Sequence, residues 1–304
     1  MEETATREAD EAVPVDSGLV ALRDGRSIAW TAWGALDGAT VIDQPHLGDS
    51  GRTALTMDIA PLTEAGIRVV VVCRAGLGPS TRHPGRTEQT DAEDMLQIID
   101  ALGLDRARLL GECGGTGATL ALAARWPDRV SGVALVSSMA PLAGPDADSY
   151  VEGRLLSVRR SLRFGLIARW MARSQVKAFG RDPAGFLDRA LRTLPAVDRS
   201  FVEDPVRRAH TSASSSDFYA LPERVFDEWR SMLGPWAFDV SAVRSPVLIE
   251  HGDLDTTAPA AMAKWLSGRL PSGELRIDPD RGHFVAPDRL VGILKALIAL
   301  GEAP

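Results

Sequence analysis

The stretch Leu-Leu-Gly-Glu-Cys-Gly-Gly-Thr-Gly, residues 109–117, places a cysteine among glycines where an aliphatic run ends and a helical pattern begins. A strand that turns at once into a helix forces its central residue into a strained conformation, and only glycine avoids clashes beside it. The turn is expected to raise the side chain of Cys113 above the sheet edge, at the N-terminus of the following helix. The helix dipole and free N–H groups favour an anion there, so the pattern predicts a stabilised thiolate.

Short apolar runs alternate with helical stretches on both sides of this turn. Strands are predicted at residues 18–22, 28–33, 40–42, 67–72, 107–110, 130–136, 246–250 and 274–277. Helices are predicted at residues 55–65, 90–102, 116–126, 259–270 and 290–300. Such alternation is typical of βαβ units, so we predict an α/β fold with a mostly parallel sheet and helices on both faces.

The middle of the chain interrupts this rhythm. Apolar residues recur at three- and four-residue intervals between Leu155 and Met171, and no convincing strand occurs from 143 to 243. The polar run Ser-Ala-Ser-Ser-Ser-Asp, residues 212–217, is predicted to be a loop. Because ligands bind outside the carboxyl ends of strands in open α/β sheets, a helical insertion here is expected to shape a pocket. We therefore predict a lid at residues 143–242 and a core at residues 18–142 and 243–304.

Composition and charge exclude several classes of protein. The 304 residues have a net charge of −7, which argues against a nucleic-acid surface. No apolar run approaches the roughly 18 residues needed to span a bilayer. Residues 1–17 lack the basic and apolar regions of a secretory signal and are predicted to form a flexible acidic arm. With only Cys73 and Cys113, a disulfide framework is excluded, and the expected location is the reducing cytoplasm, without a membrane partner.

The sequence resembles the α/β-hydrolase superfamily, whose nucleophile elbow is Gly-x-Ser-x-Gly, over nearly the whole chain from residue 18. It is most similar to the lid-bearing branch around proline iminopeptidases, epoxide hydrolases and small esterases. The motifs that resemble this branch lie at residues 74–80, 111–115, 127–130, 235–239, 251–259 and 281–284. The resemblance implies an eight-stranded, mostly parallel sheet with an inserted helical lid.

The same motifs imply a catalytic triad in the family's chain order of nucleophile, acid and base. Cys113 stands where the family has its nucleophilic serine. Residues 251–259 match Gly-x-x-Asp-x-x-x-Pro, which makes Asp255 the orienting acid and leaves Asp253 as a second candidate. Residues 281–284 match the Gly-His-Phe segment and make His283 the base. The alternative interpretations are a buried cysteine that only packs, an aspartate that only caps a helix, and a histidine without a catalytic role.

Further departures from the family pattern affect the neighbourhood of the nucleophile. Cys73 stands where the family usually has aspartate and is predicted to pack in the core. Gln44-Pro45 replaces the family's His-Gly pair, and His46 follows. The oxyanion hole is predicted to consist of the backbone N–H of Gly114 and an N–H near His46. The alternative is that the His46 ring only fills its loop.

The predicted lid contains a local excess of positive charge on an acidic protein. The basic residues concerned are Arg154, Arg159, Arg160, Arg163, Arg169, Arg173, Lys177 and Arg181. Such a face suits the phosphates of coenzyme A or an acidic acyl carrier protein. The alternative is a solvated helix face whose arginine stems cover apolar surface.

These features predict an enzyme for acyl-transfer chemistry that needs no cofactor or metal. A Cys113 acyl-enzyme would hydrolyse a small-molecule ester, thioester, lactone or amide, or pass its acyl group to another nucleophile. Histidine spacing typical of metal ligands is absent from the sequence. Two alternatives remain: an elimination or cyclisation enzyme that uses His283 as its base, and a binding protein on the same scaffold that has lost catalysis.

Overall fold

The protein is represented by a computed structural model that describes residues 14–51, 59–144, 146–151, 153–162, 164–232, 234–284 and 286–301. Within these residues, alternating apolar runs form one sheet of eight strands. The strands are β1 (Asp16–Ala21), β2 (Ser27–Gly34), β3 (Ala39–Gln44), β4 (Ile67–Cys73), β5 (Ala107–Glu112), β6 (Val130–Val136), β7 (Val247–Gly252) and β8 (Gly273–Asp278).

The strand order is β1-β2-β4-β3-β5-β6-β7-β8. Strand β2 runs antiparallel to β1 and β4, whereas every other neighbouring pair is parallel. This confirms the predicted fold class. The carboxyl ends of β5, β7 and β8 therefore lie along one edge, and the candidate nucleophile, acid and base follow these three strands in sequence.

Helices cover both faces because the buried strands are apolar on both sides. In β4, Val70 and Val72 pack with α2 (Glu88–Ala101), α3 (Thr116–Arg125) and α10 (Ala260–Ser267) in one core cluster. The alternating Val69 and Val71 pack in a second cluster with α1 (Ile59–Glu64) and α11 (Ala286–Leu300). Residues 55–58 of the predicted first helix lie outside the described residues.

Between β6 and β7 the described residues form six α-helices, here called the inserted helices. They are α4 (Gly153–Leu162), α5 (Gly165–Arg181), α6 (Pro183–Leu191), α7 (Ala196–Glu203), α8 (Pro205–Phe218) and α9 (Pro222–Met232). Their role as a lid, and the domain boundaries, stay predictions. Strand β1 begins two residues inside the predicted arm, of which residues 1–13 lie outside the described residues. No described helix combines the length and apolarity needed to cross a bilayer.

The predicted loop at residues 212–217 is wrong, because this segment lies inside α8. Asp204 caps the helix start by accepting the N–H groups of Val206 and Arg207, and Pro205 occupies the first turn. The Ser216 hydroxyl donates to the Ser212 carbonyl, a bond that helical serines can form in place of a turn. A well-formed helix start thus outweighs the weak helix propensity of a serine run.

Candidate active site

The turn after β5 places Cys113 in a strained backbone conformation. Its φ angle is 47°, and residues Cys113–Gly115 form a short 3₁₀ turn that leads directly into α3. A Cβ atom on Gly115 would approach the Gln44 carbonyl oxygen to 1.9 Å, and one on Gly111 would approach the Thr119 hydroxyl to 2.7 Å. These close approaches explain the glycines around the cysteine and fix the elbow against β3 and α3.

Asp255, His283 and Cys113 form a chain of neighbouring side chains at the carboxyl edge of the sheet. Asp255 Oδ2 lies 2.7 Å from His283 Nδ1, and the His283 ring and Cys113 line the same cavity. Asp255 Oδ1 accepts the N–H groups of Thr257 and Ala258 at 2.7 and 2.8 Å. One oxygen of Asp255 thus binds the backbone of its own turn while the other contacts the His283 ring. The alternative that Asp255 caps a helix is wrong, because Pro259 is the N-cap of α10 and that helix start has no side-chain cap.

Asp253, the second candidate for the acid, takes no part in this chain. Its side chain is exposed, and its backbone N–H donates to the Asp278 carbonyl. Only the carboxylate two residues later reaches the imidazole of His283.

The three side chains shift one another's pKa values, and each shift favours the charged form. Burial raises the pKa of Cys113, but the charge of His283 and its hydrogen bond outweigh burial and hold that pKa below its usual range. Burial lowers the pKa of His283, whereas Asp255 and Cys113 together raise it well above its usual value. The pKa of Asp255 is lowered by His283 despite burial. The site therefore favours a thiolate beside an imidazolium.

We expect Cys113 to react with iodoacetamide at lower pH than an ordinary thiol. Because its pKa is lowered, the thiolate persists below the usual pKa of about 8.5 and is lost only as pH falls through the lowered value. Cys73 is the internal control, since burial raises its pKa to about 11. Peptide mass spectrometry over a pH series measures both rates. A Cys113 profile centred near 8.5 would contradict the ion pair.

Cys73 itself lies in the apolar core and is 3% exposed. Its thiol donates to the Leu77 carbonyl at 3.1 Å. The absence of the family's aspartate at this position is thus accommodated by packing.

The loop after β3 places a second imidazole, that of His46, on the same cavity as Cys113. His46 Nδ1 lies 3.6 Å from Glu112 Oε2 and 3.8 Å from Asp49 Oδ2. Burial lowers the pKa of His46, but Glu112 and Asp49 outweigh it and raise that pKa above its usual value. Sequence reasoning missed Glu112 and Asp49, although Glu112 directly precedes the candidate nucleophile in the motif.

Buried arginines hold the backbone of this loop. Arg74 donates to the Pro45 and His46 carbonyl oxygens and pairs with Glu228 of α9. Glu228 also pairs with Arg86 and accepts the Gly48 N–H at 2.9 Å. Although burial raises the pKa of Glu228, the two arginines lower it to about 2. An inserted helix therefore fixes the loop that contains His46.

The loop that contains His283 is held from two sides. Ser137, which follows β6 and has a φ angle of 47°, donates its hydroxyl to the His283 carbonyl oxygen. Asp198 of α7 accepts the N–H groups of His283 and Phe284 at 3.0 and 3.2 Å. Sequence reasoning missed both residues, because neither belongs to a motif.

A cavity of about 270 Å³ opens onto the sulfur of Cys113 and the His283 ring. Its walls are mainly apolar, with Leu47 and Val136 from the core and Phe284 next to His283. The segment between β6 and β7 contributes Leu194, Phe201, Thr211, Ser214, Ser215 and Phe218. The inserted helices therefore shape the pocket, as a helical insertion at this edge is expected to do.

The two predicted oxyanion-hole residues line different cavities. His46 lines the cavity with Cys113, whereas Gly114 lines a much smaller cavity beneath the elbow. Donation by their backbone N–H groups stays a prediction. Among the described residues, no group of three or more histidine, cysteine or acidic side chains is arranged to hold a metal ion.

Comparison with known proteins places this chain among hydrolases. The alpha/beta hydrolase fold family model matches residues 56–290. One relative is a Caulobacter sp. strain K31 protein named as the carbamate hydrolase RutD. It is 28% identical over 256 residues, which cover 82% of this chain and 85% of that protein. The 2-hydroxymuconate semialdehyde hydrolase of Pseudomonas putida is 25% identical over 247 residues, covering 78% of each.

Solved structures agree on the fold. A bromoperoxidase from Bacillus anthracis has a TM-score of 0.72 at 19% identity, covering 95% of this chain and 100% of that one. At this identity the likeness concerns the fold alone. Because the family model matches well over half of the sequence, the chain belongs to the alpha/beta hydrolase fold family, and with it to the hydrolases.

Proposed function

We propose that the protein cleaves an ester, thioester, lactone or amide through an acyl-enzyme on Cys113. The observation that supports this most strongly is that Cys113 shares its cavity with His283, whose Nδ1 lies 2.7 Å from the buried Asp255 carboxylate. A cysteine at a helix N-terminus beside an imidazolium is a nucleophile ready for attack. The cavity gives a small acyl compound access to that sulfur.

In the first half of the reaction, the Cys113 thiolate attacks the carbonyl carbon, and the C=O electron pair moves onto oxygen. As the tetrahedral intermediate collapses, the bond to the leaving group breaks, and imidazolium His283 donates its Nε2 proton to the departing atom. The products of this half are a Cys113 thioester, a neutral His283 and the protonated leaving group. Asp255 keeps the remaining proton on Nδ1 throughout.

In the second half, neutral His283 takes a proton from water as the water oxygen attacks the thioester carbonyl. Collapse breaks the C–S bond and releases the acid, and the thiolate and imidazolium are restored. During both halves the oxyanion would accept hydrogen bonds from the backbone N–H groups of His46 and Gly114. Replacement of water by an amine or alcohol would give acyl transfer with the same balance of protons.

The cavity favours a small substrate with an apolar acyl part. Phe201, Phe218 and Phe284 contribute aromatic surface, whereas Thr211 and the two serines offer hydroxyl groups on the inserted helices. The named activities of the relatives, on a carbamate and on a semialdehyde acid, fit compounds of this size. We propose a compact carbonyl substrate that contains both an apolar and a hydrogen-bonding group.

The decisive experiment is mass spectrometry after exposure to a β-lactone probe and a panel of p-nitrophenyl esters. We expect a mass increase on the peptide that contains Cys113, and release of that label during turnover. Turnover without label on Cys113 would contradict covalent catalysis and favour the elimination or cyclisation alternative. Neither label nor turnover would favour the binding-protein alternative. Cys73 should remain unlabelled in all cases.

An acyl thioester of coenzyme A or of a carrier protein is the donor that we propose for the transfer reaction. Arg160, Arg173, Lys177 and Arg181 are exposed on α4 and α5, which supports an anionic partner. Two other basic residues have partners within the chain, since Arg159 pairs with Asp148 and Arg169 lies over Phe226. Arg163 and the side chain of Arg154 lie outside the described part of the chain. The labelling assay with acyl-coenzyme A as donor tests this proposal.

We also propose a cytoplasmic location. Both cysteines are free, and the proposed chemistry depends on a reduced Cys113.

A further inference from the structure

An aspartate of the inserted helices binds the backbone of the candidate base. Asp198 lies in α7, is 2% exposed, and has one carboxylate oxygen on the His283 N–H and the other on the Phe284 N–H. These are charge-assisted bonds in a buried setting, where they are strong. They hold the main chain of His283, whereas Asp255 contacts the His283 ring.

The loop that contains His283 leaves room for the Asp198 carboxylate. A Cβ atom on Gly282 would lie 2.3 and 2.4 Å from the two oxygens of Asp198, so only glycine leaves room for the contact. Phe201, three residues further along α7, stacks on Phe284 with ring centroids 5.1 Å apart. One helix thus touches three consecutive residues of the loop, with a carboxylate and an aromatic ring.

We propose that Asp198 is a positioning residue for His283. The Cys113–His283 pair would form only when α7 packs against the loop that contains His283. This inference rests on the proposed function, because it concerns the reactivity of Cys113. A displacement of α7 would release two backbone N–H groups and let His283 shift away from the thiol. Since a misplacement of about 1 Å can cost roughly 100-fold in rate, the seating of α7 would control the nucleophile.

Glu228 makes a comparable contact from α9 to the His46 loop, but it is unsuitable as a test. Its removal would leave the buried Arg74 without its carboxylate partner and Arg86 with only the more distant Asp91. Unpaired buried charges destabilise the whole protein, so lost activity there would not report positioning. Asp198 bonds to backbone groups alone among the described residues, which makes it the cleaner position.

The test is the Asp198→Asn variant, which keeps the shape but replaces one accepting oxygen with a donor group. We expect kcat/KM for a p-nitrophenyl ester to fall about 10- to 100-fold with little change in KM. The pH midpoint for iodoacetamide alkylation of Cys113 should rise by about one unit, because the imidazolium is displaced. Asp204→Asn is the matched control, since Asp204 also accepts two backbone N–H groups but lies exposed within the inserted helices.

Gly282→Ala provides an independent second variant, because its methyl group displaces the Asp198 carboxylate without changing that residue. It should shift the alkylation midpoint in the same direction, and the double variant should be little worse than either single one. An unchanged midpoint in both single variants would overturn the proposal, even if their thermal stability fell. If wild-type Cys113 itself took no acyl label, the proposed function would fail. An unchanged alkylation midpoint in the two variants, with the wild type still labelled, would overturn only the role of Asp198.

Discussion

Cys113→Ala and His283→Ala should each lower kcat/KM by about 10⁴-fold or more on any ester that the wild type hydrolyses. Alanine at 113 removes the sulfur that forms the proposed acyl-enzyme. Alanine at 283 removes both the charge that holds the thiolate and the proton for the leaving group. Because both residues serve the same step, the double variant should be little slower than either single one. Steady-state kinetics of the three variants measure this.

Cys73→Ala is the matched control for loss of a cysteine. Cys73 lies in the core beside Leu77 and Ser80, with a pKa raised by burial, and has no contact with His283. Its replacement should change stability more than kcat/KM. If Cys113→Ala kept wild-type activity while Cys73→Ala lost it, the assignment of the nucleophile would be reversed.

Local motifs made the core of the site predictable. The elbow glycines and the Gly-His-Phe segment are recognisable as short runs of neighbouring residues. The structure shows a close approach at Gly111, Gly115 and Gly282, although Gly115 and Gly282 approach residues that lie far away along the chain, Gln44 and Asp198. Asp255 was predictable for the same reason, since its place after β7 is set by a short turn. The chain order of strands and helices also sufficed to predict the sheet.

The residues that the sequence did not disclose act over long distances along the chain. Asp198 and His283 are 85 positions apart, and Gly48 and Glu228 are 180 positions apart. Nothing in the helical spacing of α7 or α9 distinguishes a carboxylate that faces solvent from one that holds a loop. The error at residues 212–217 has the opposite cause, because a weak local propensity there is overridden by a good N-cap and by tertiary packing.

Asp255→Asn should lower kcat/KM by about 10³- to 10⁴-fold while leaving the fold intact. The Thr257 and Ala258 N–H groups both bind Oδ1, so the asparagine carbonyl must stay there to accept them. Its NH₂ group then faces His283 Nδ1, where a donor is disfavoured unless the ring gives up its Nδ1 proton. The neutral ring would carry its proton on Nε2, directed at Cys113, and could no longer accept one from the thiol.

The alkylation profile distinguishes this effect from simple loss of structure. With the wrong tautomer facing the sulfur, the pH midpoint for Cys113 should move upward, because burial then raises the thiol pKa without an opposing imidazolium. Asp253→Asn is the control, since Asp253 is exposed two residues away and is the rival candidate for the acid. Its kcat/KM should stay within about threefold of wild type, as for an ordinary surface position. A larger loss in Asp253→Asn than in Asp255→Asn would assign the acid to Asp253 and contradict the hydrogen-bonded chain on which the mechanism depends.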